Sequence, residues 1–261
     1  AYSSQFQYNN LYEDNLYTSA GLSSDYGSGT RKSNLLSNFD TGVTVEFWGK
    51  SGSVGWDPDE TSKQVVFDMW NSELSSSDAY GRLTVELTGG AGAGNPLLIT
   101  VQSGTLSASA QSIFTSSIGE DLDFQDWKHY AVQFENSGSD FVANLYVNGE
   151  LNSTNTYSSI NIGELSSKNM RGRVGALLTA PSGATDVSKI AEYNGAGRLS
   201  GSLDEFRFWK VSRNAEEIGR YWFDQVRGGT NTDIANTTLG MYYKFNEGVT
   251  GTSSVDLSLI H

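Results

Sequence analysis

A chain of 261 residues with 37% hydrophobic and 12% aromatic side chains can bury a sizeable core, which excludes intrinsic disorder and suits one large domain. Its 30 acidic against 17 basic residues give a formal charge of −13, a field that repels nucleic acid and anionic membranes and argues against both as partners. No cysteine is present to form a disulfide or a thiolate-held metal site, and no apolar run approaches transmembrane length.

In chain order the elements are strands. After an opening stretch, "GVTVEFWGK" (42–50) alternates, with Val43, Val45 and Phe47 on one face and Thr44, Glu46 and Trp48 on the other. "KQVVFDMW" (63–70), "GRLTVEL" (81–87) and "PLLITVQ" (96–102) follow, separated by turn-rich segments. "WKHYAVQFE" (127–135) sets Tyr130, Val132 and Phe134 together and leaves His129 opposite them as a partly exposed sheet histidine. "FVANLYVNGELNSTNTY" (141–157) predicts a hairpin, because Asn148-Gly149 suits a type I′ turn. "GRVGALLTA" (172–180) and "GSLDEFRFW" (201–209) add two more strands.

One helix is predicted over 214–226, with Asn214 and Glu217 spaced as a capping box, Ile218 and Trp222 on the buried face, and Gly228-Gly229 as the stop. The segment 227–238 reads as a polar surface connection, and "LGMYYKF" (239–245) as a further strand. Many short strands, Gly-rich turns and a lone helix predict an all-β antiparallel sandwich.

Strand 201–209 poses a puzzle. If Phe206 and Phe208 point into the core, strict alternation sends Asp204 inward too, and a buried carboxylate must find a partner. Glu205 and Arg207 then share the other face as a surface pair.

Residues 126–151 resemble the central hairpin of laminin-G-like, concanavalin A-like jelly rolls, where a Trp-x-His/Tyr segment leads to an "LYVNG" turn. "GSLDEFRFWKVSRNAEEI" (201–218) resembles the last core strand and following helix of the same family, and a similar pair occurs in pentraxins. With "VTVEFWGK", the resemblance spans roughly residues 40 to 226 and implies a jelly-roll sandwich, a single domain over 1–261. "LGMYYKFNEGVTGTSSVD" (239–256) is similar to the segment that opens a module of this family. Within 227–261 the chain therefore either supplies an exchanged edge strand or starts a further repeat, and both readings imply a piece of a longer chain. The Ser/Thr/Asn-rich, cysteine-free style is similar to that of marine phage structural and adhesion proteins.

The family hosts enzymes and binding modules, so the residues must decide. Laminarinase-type retaining glycosidases need two carboxylates about 5–5.5 Å apart on one strand. The matching positions here are Ser202 and either Phe206 or Arg207, none of which carries one, and the chain is read as non-enzymatic.

The resemblance also implies a structural calcium ion held by Asp204; the alternative is that backbone N–H groups or a hydroxyl satisfy it without metal. The pentraxin rim loops fall on 71–80 and 179–198, where Asn71, Glu73, Asp78, Asp186 and Glu192 are oxygen donors, although the pentraxin Glu-Gln-Asp cluster is missing. Trp56, with Asp57 beside it, and Tyr193 are aromatic platforms for a sugar ring. Long, polar, aromatic-bearing loops favour a glycan-binding adhesion module at an extracellular or virion surface, its partners glycans or other virion or surface proteins, with oligomerisation through the parent protein. The alternative function is a purely structural decoration or assembly module, which a broad apolar patch would favour.

Overall fold

The structure is a computed structural model that describes residues 6–9, 35, 37–51, 63–71, 78, 80–88, 97–112, 126–163, 165, 171–178, 199, 201–226 and 238–245. Twelve strands occur among them: β1 (Phe6–Asn9), β2 (Val43–Ser51), β3 (Lys63–Trp70), β4 (Gly81–Thr88), β5 (Leu97–Ser103), β6 (Leu106–Ser112), β7 (Lys128–Ser137), β8 (Asp140–Val147), β9 (Glu150–Tyr157), β10 (Arg171–Val174), β11 (Gly201–Trp209) and β12 (Leu239–Tyr243). They form two six-stranded sheets, β1-β10-β3-β4-β5-β6 and β12-β11-β2-β7-β8-β9. Every pairing is antiparallel.

Alternation drives the stacking. Phe47, Tyr130, Val132, Phe134, Phe206 and Phe208 from the second sheet meet Phe67, Met69, Leu83, Val85 and Ile99 from the first in one buried cluster. Phe67 touches Phe206 and Phe208 across the gap, at ring distances of 5.2 and 5.6 Å. Each such ring contributes roughly 1.5–3 kcal/mol of burial, which makes this interior the main source of stability. The tail joins the same interior: β12 pairs with β11, and its Met241 and Tyr243 enter the core.

The β8–β9 turn has Asn148 at φ 49 and Gly149 at φ 83, the left-handed pair that a type I′ turn needs. Gly149 has a second reason to lack a side chain, since a Cβ there would sit 2.3 Å from Cδ1 of Trp222.

The helix α1 (Ala215–Tyr221) is shorter than the predicted 214–226 and ends at Trp222. Its capping box is formed: the Asn214 side chain accepts from the Glu217 N–H, and the Glu217 side chain accepts from the Asn214 N–H. Ile218 is fully buried against Ala131 and Tyr146, on the outer face of the second sheet. Strand 172–180 is also shorter than predicted. The chain leaves the sheet after Val174 at Gly175 (φ 83), and the Leu178 N–H then donates to Asp68.

β11 resolves the puzzle of Asp204 with a correction. Asp204 pairs with Trp48 and Arg207 with Glu46, so Glu205 and Phe206 together oppose Phe47. That is a β-bulge, with Glu205 at φ 50. The extra residue reverses the alternation: Leu203 packs on the core before it, and Phe206 and Phe208 after it. Asp204 therefore lies on the side of Trp48, half-buried, and not inward with the phenylalanines.

Candidate binding site

The outer face of the second sheet is built by the same register. Past the bulge, Arg207 stands between Glu46 on β2 and Tyr242 on β12, while Trp48 stands opposite His129 on β7. α1 and the segment 222–226 lie over this face, so its polar side chains are buried and must satisfy one another. Glu46, fully buried, accepts from Arg213 Nη1 at 2.6 Å and from Arg207 Nη1 at 3.4 Å, with His129 Nε2 at 3.7 Å. Arg207 Nη2 donates to Glu205 at 3.1 Å and to the Asp224 carbonyl, and the Tyr242 hydroxyl donates to Glu205.

Burial alone would raise the Glu46 pKa, but the His129 contact and the Arg213 and Arg207 charges outweigh it and hold the carboxyl at about 2. Burial lowers the His129 pKa, the Glu46 contact notwithstanding, so near neutral pH the imidazole is uncharged and the two arginines carry the site. Burial and the neighbouring Glu205 push the Tyr242 phenol up. The expected surface pair Glu205–Arg207 is thus a buried network, and His129, expected to be partly exposed, is 1% exposed. The cause is the cover: Trp222 lies over Trp48 at 5.4 Å and beside His129 at 6.1 Å.

Beside this network an open cleft of about 540 Å³ separates α1 from β11. Arg207 and Trp209 line it from the sheet, and Arg213, Glu217, Tyr221 and Asp224 from the helix and its ends. The Arg213 guanidinium lies 4.4 Å over the Trp209 ring, a cation–π stack. Tyr221 remains 49% exposed, and Arg220 pairs with Glu216 at 2.6 Å. The arrangement offers flat groups and hydrogen-bonding groups at a volume usual for small-ligand sites.

The residues singled out from sequence do not converge here. Asn71 is buried; its Oδ1 accepts from the Gly81 N–H at 3.0 Å and its own N–H donates to the Gly81 carbonyl, so it ties β3 to β4. Asp78 is exposed, its carbonyl against Gly104. Trp56, Asp57, Glu73, Asp186, Glu192 and Tyr193 lie outside the described residues. Asp204 accepts from the Glu205 N–H at 2.9 Å. No group of three or more acidic or histidine side chains placed to hold a metal occurs among the described residues. One carboxylate falls short of the six to eight oxygens that calcium takes, so this donor set does not by itself fit the ion. Sequence reasoning passed over Glu46, Trp209, Arg213 and Tyr221. The usable signal was the amphipathic helix, because a covered sheet face obliges Glu46 and Arg207 to find charged partners.

The sequence model of the concanavalin A-like lectin/glucanases superfamily matches residues 23–219, well over half of the chain. The chain belongs to this superfamily. No curated protein matches this superfamily member. Among solved structures it is similar to a candidate carbohydrate-binding protein of Bacteroides ovatus, at 16% identity and a TM-score of 0.47, over 81% of this chain and 49% of that one. It therefore spans about half the length of that protein. It is also similar to a heptameric pentraxin of Limulus polyphemus, at 13% identity and 0.45, over 74% of this chain and 75% of that one. The CBM40 module of a Ruminococcus gnavus sialidase, solved with α2,3-sialyllactose, is similar at 11% identity and 0.40, over 83% of this chain and 95% of that one.

Proposed function

We propose that this member of a lectin and glucanase superfamily is a non-enzymatic glycan-binding adhesion module, working at a virion or other extracellular surface. The observation that carries the reading is the cleft between α1 and β11, which is ligand-sized, open to solvent and bordered by the half-exposed Tyr221 ring, with the buried Trp209–Arg213 stack beneath. A pyranose ring presents an apolar C–H face to such flat groups and hydroxyls to the polar groups around them.

The chemistry near the cleft supports binding without hydrolysis. At the positions where glucanases of this fold carry carboxylates, β11 has the Ser202 hydroxyl and, on the same face once the bulge is counted, the Arg207 guanidinium. Glu46, at about 2, is tuned opposite to a general acid, which needs a raised pKa. The test is a glycan array followed by isothermal titration of each hit against the wild type and Tyr221→Ala. Binding that Tyr221→Ala weakens supports the reading. Release of reducing sugar from a bound glycan refutes the non-enzymatic part.

A purely structural module is the second reading, favoured by the exposed side chains of Leu151 (52%) and Phe223 (61%). An empty array together with self-association lost in Phe223→Ser would establish it.

A further inference from the structure

Resting on the glycan-binding reading, we infer that the cleft takes an uncharged sugar whose oxygens accept hydrogen bonds from Trp209 Nε1 and Arg207 Nε, donors on two residues that border it. The first support is charge. Three arginines and three carboxylates line the cleft, and Glu46 and Glu205 stand behind Arg207 and Arg213. Each arginine there is already matched: Arg207 to Glu46 and Glu205, Arg213 to Glu46, Arg220 to Glu216. No guanidinium is left to neutralise a sialate, uronate or sulfate, and the chain's own −13 opposes one.

The second support is an unmet need. Trp209 is 5% and Arg207 1% exposed, and both border the cleft. Trp209 Nε1 and Arg207 Nε are buried donors with no hydrogen-bond partner among the described residues. Nearly all buried donors are paired, so two donors beside one cleft that are unpaired among the described residues mark a place where an incoming acceptor would be held. Both call for an acceptor, which excludes a cationic group at that spot. The sugar hydroxyl or ring oxygen is such an acceptor. The two nitrogens are shut off from solvent in this structure, so the contact forms as side chains round the cleft adjust, a common event at binding sites.

The experiment titrates the 261-residue chain with laminarihexaose, cellohexaose and mannohexaose as uncharged probes, and with oligoguluronate and sialyllactose as charged ones. Two-dimensional ¹H–¹⁵N spectra follow the six indole N–H signals, assigned by triple resonance, and calorimetry gives affinities for the wild type and Trp209→Phe. Phe keeps a ring beneath Arg213 but removes the donor. The expected result is that an uncharged probe binds, moves the Trp209 indole signal, and binds about tenfold less tightly to Trp209→Phe. The spectra of the wild type decide the matter even where the variant is poorly folded. An uncharged probe that binds and leaves that signal still overturns the inference while the glycan-binding reading stands, and solvent then satisfies the donors. Tighter binding of a charged probe also overturns it. No binding by any probe at millimolar concentration overturns both.

Discussion

Replacing Glu46 by Gln should be among the costliest single changes in this protein. The substitution keeps the shape and one acceptor but removes the negative charge on which Arg213 and Arg207 converge. The carboxyl is lowered from 4.5 to about 2, and at ~1.4 kcal/mol per unit the ionised form contributes about 3 kcal/mol to folding. Removing one partner of a buried ion pair costs roughly 3–5 kcal/mol in general, which agrees. Because the folded value lies below the unfolded one, the contribution is complete above pH 4.5 and disappears as the pH falls towards 2. The assay is urea unfolding of wild type and variant at pH 7, 4 and 2. The gap should be near 3 kcal/mol at pH 7 and under about 1 kcal/mol at pH 2. His129 acts in a separate window: burial lowers its pKa, so stability in wild type and variant alike declines as the pH drops below 6.5. A gap below about 1 kcal/mol at pH 7, or one that acid leaves unchanged, would refute the account of Glu46.

Gly149→Ala forces a side chain at φ 83 into the Trp222 ring and should cost about 2 kcal/mol or more, with a change in Trp fluorescence, by thermal melting. Asp68 accepts from Arg82 twice, from Thr84 and from the Leu178 N–H; Asp68→Ala should cost about 3–5 kcal/mol, read by urea unfolding, and make 171–178 sensitive to protease. Asp204→Ala should lower stability by about 1 kcal/mol through the unpaired Glu205 N–H, equally with calcium or chelator. A calcium-dependent rise in the wild-type melting temperature that the variant loses would instead put the ion at Asp204.

What could be read beforehand was local. Asn148-Gly149 announces its turn because few residues tolerate two left-handed positions, and Asn214 with Glu217 announces its cap because the reciprocal bonds span three residues. The tail strand was visible as "MYYKF", though only pairing with β11 shows it at the sheet edge. The bulge was not visible, because a glutamate at φ 50 runs against its own preference and is held there by Arg207 and Tyr242. The polar network was missed for a related reason: its members come from β2, β7, β11, β12 and the residues preceding α1, and no local pattern links them.

The separation of 167 residues between Glu46 and Arg213 has a consequence for the order of folding. At synthesis rates of about 5–20 residues per second, the arginine emerges on the order of 10–30 s after the carboxylate. For about the first half of that interval β7 has not been made either; after it, β2 can pair with β7 but still has no neighbour on its other edge, where β11 will dock. "VTVEFW" is then an apolar strand with an open edge, the kind that recruits other chains, and the ionised Glu46 at its centre is the one charge that opposes them. The residue that anchors the finished sheet is thus also the charge that keeps this open edge from being wholly apolar.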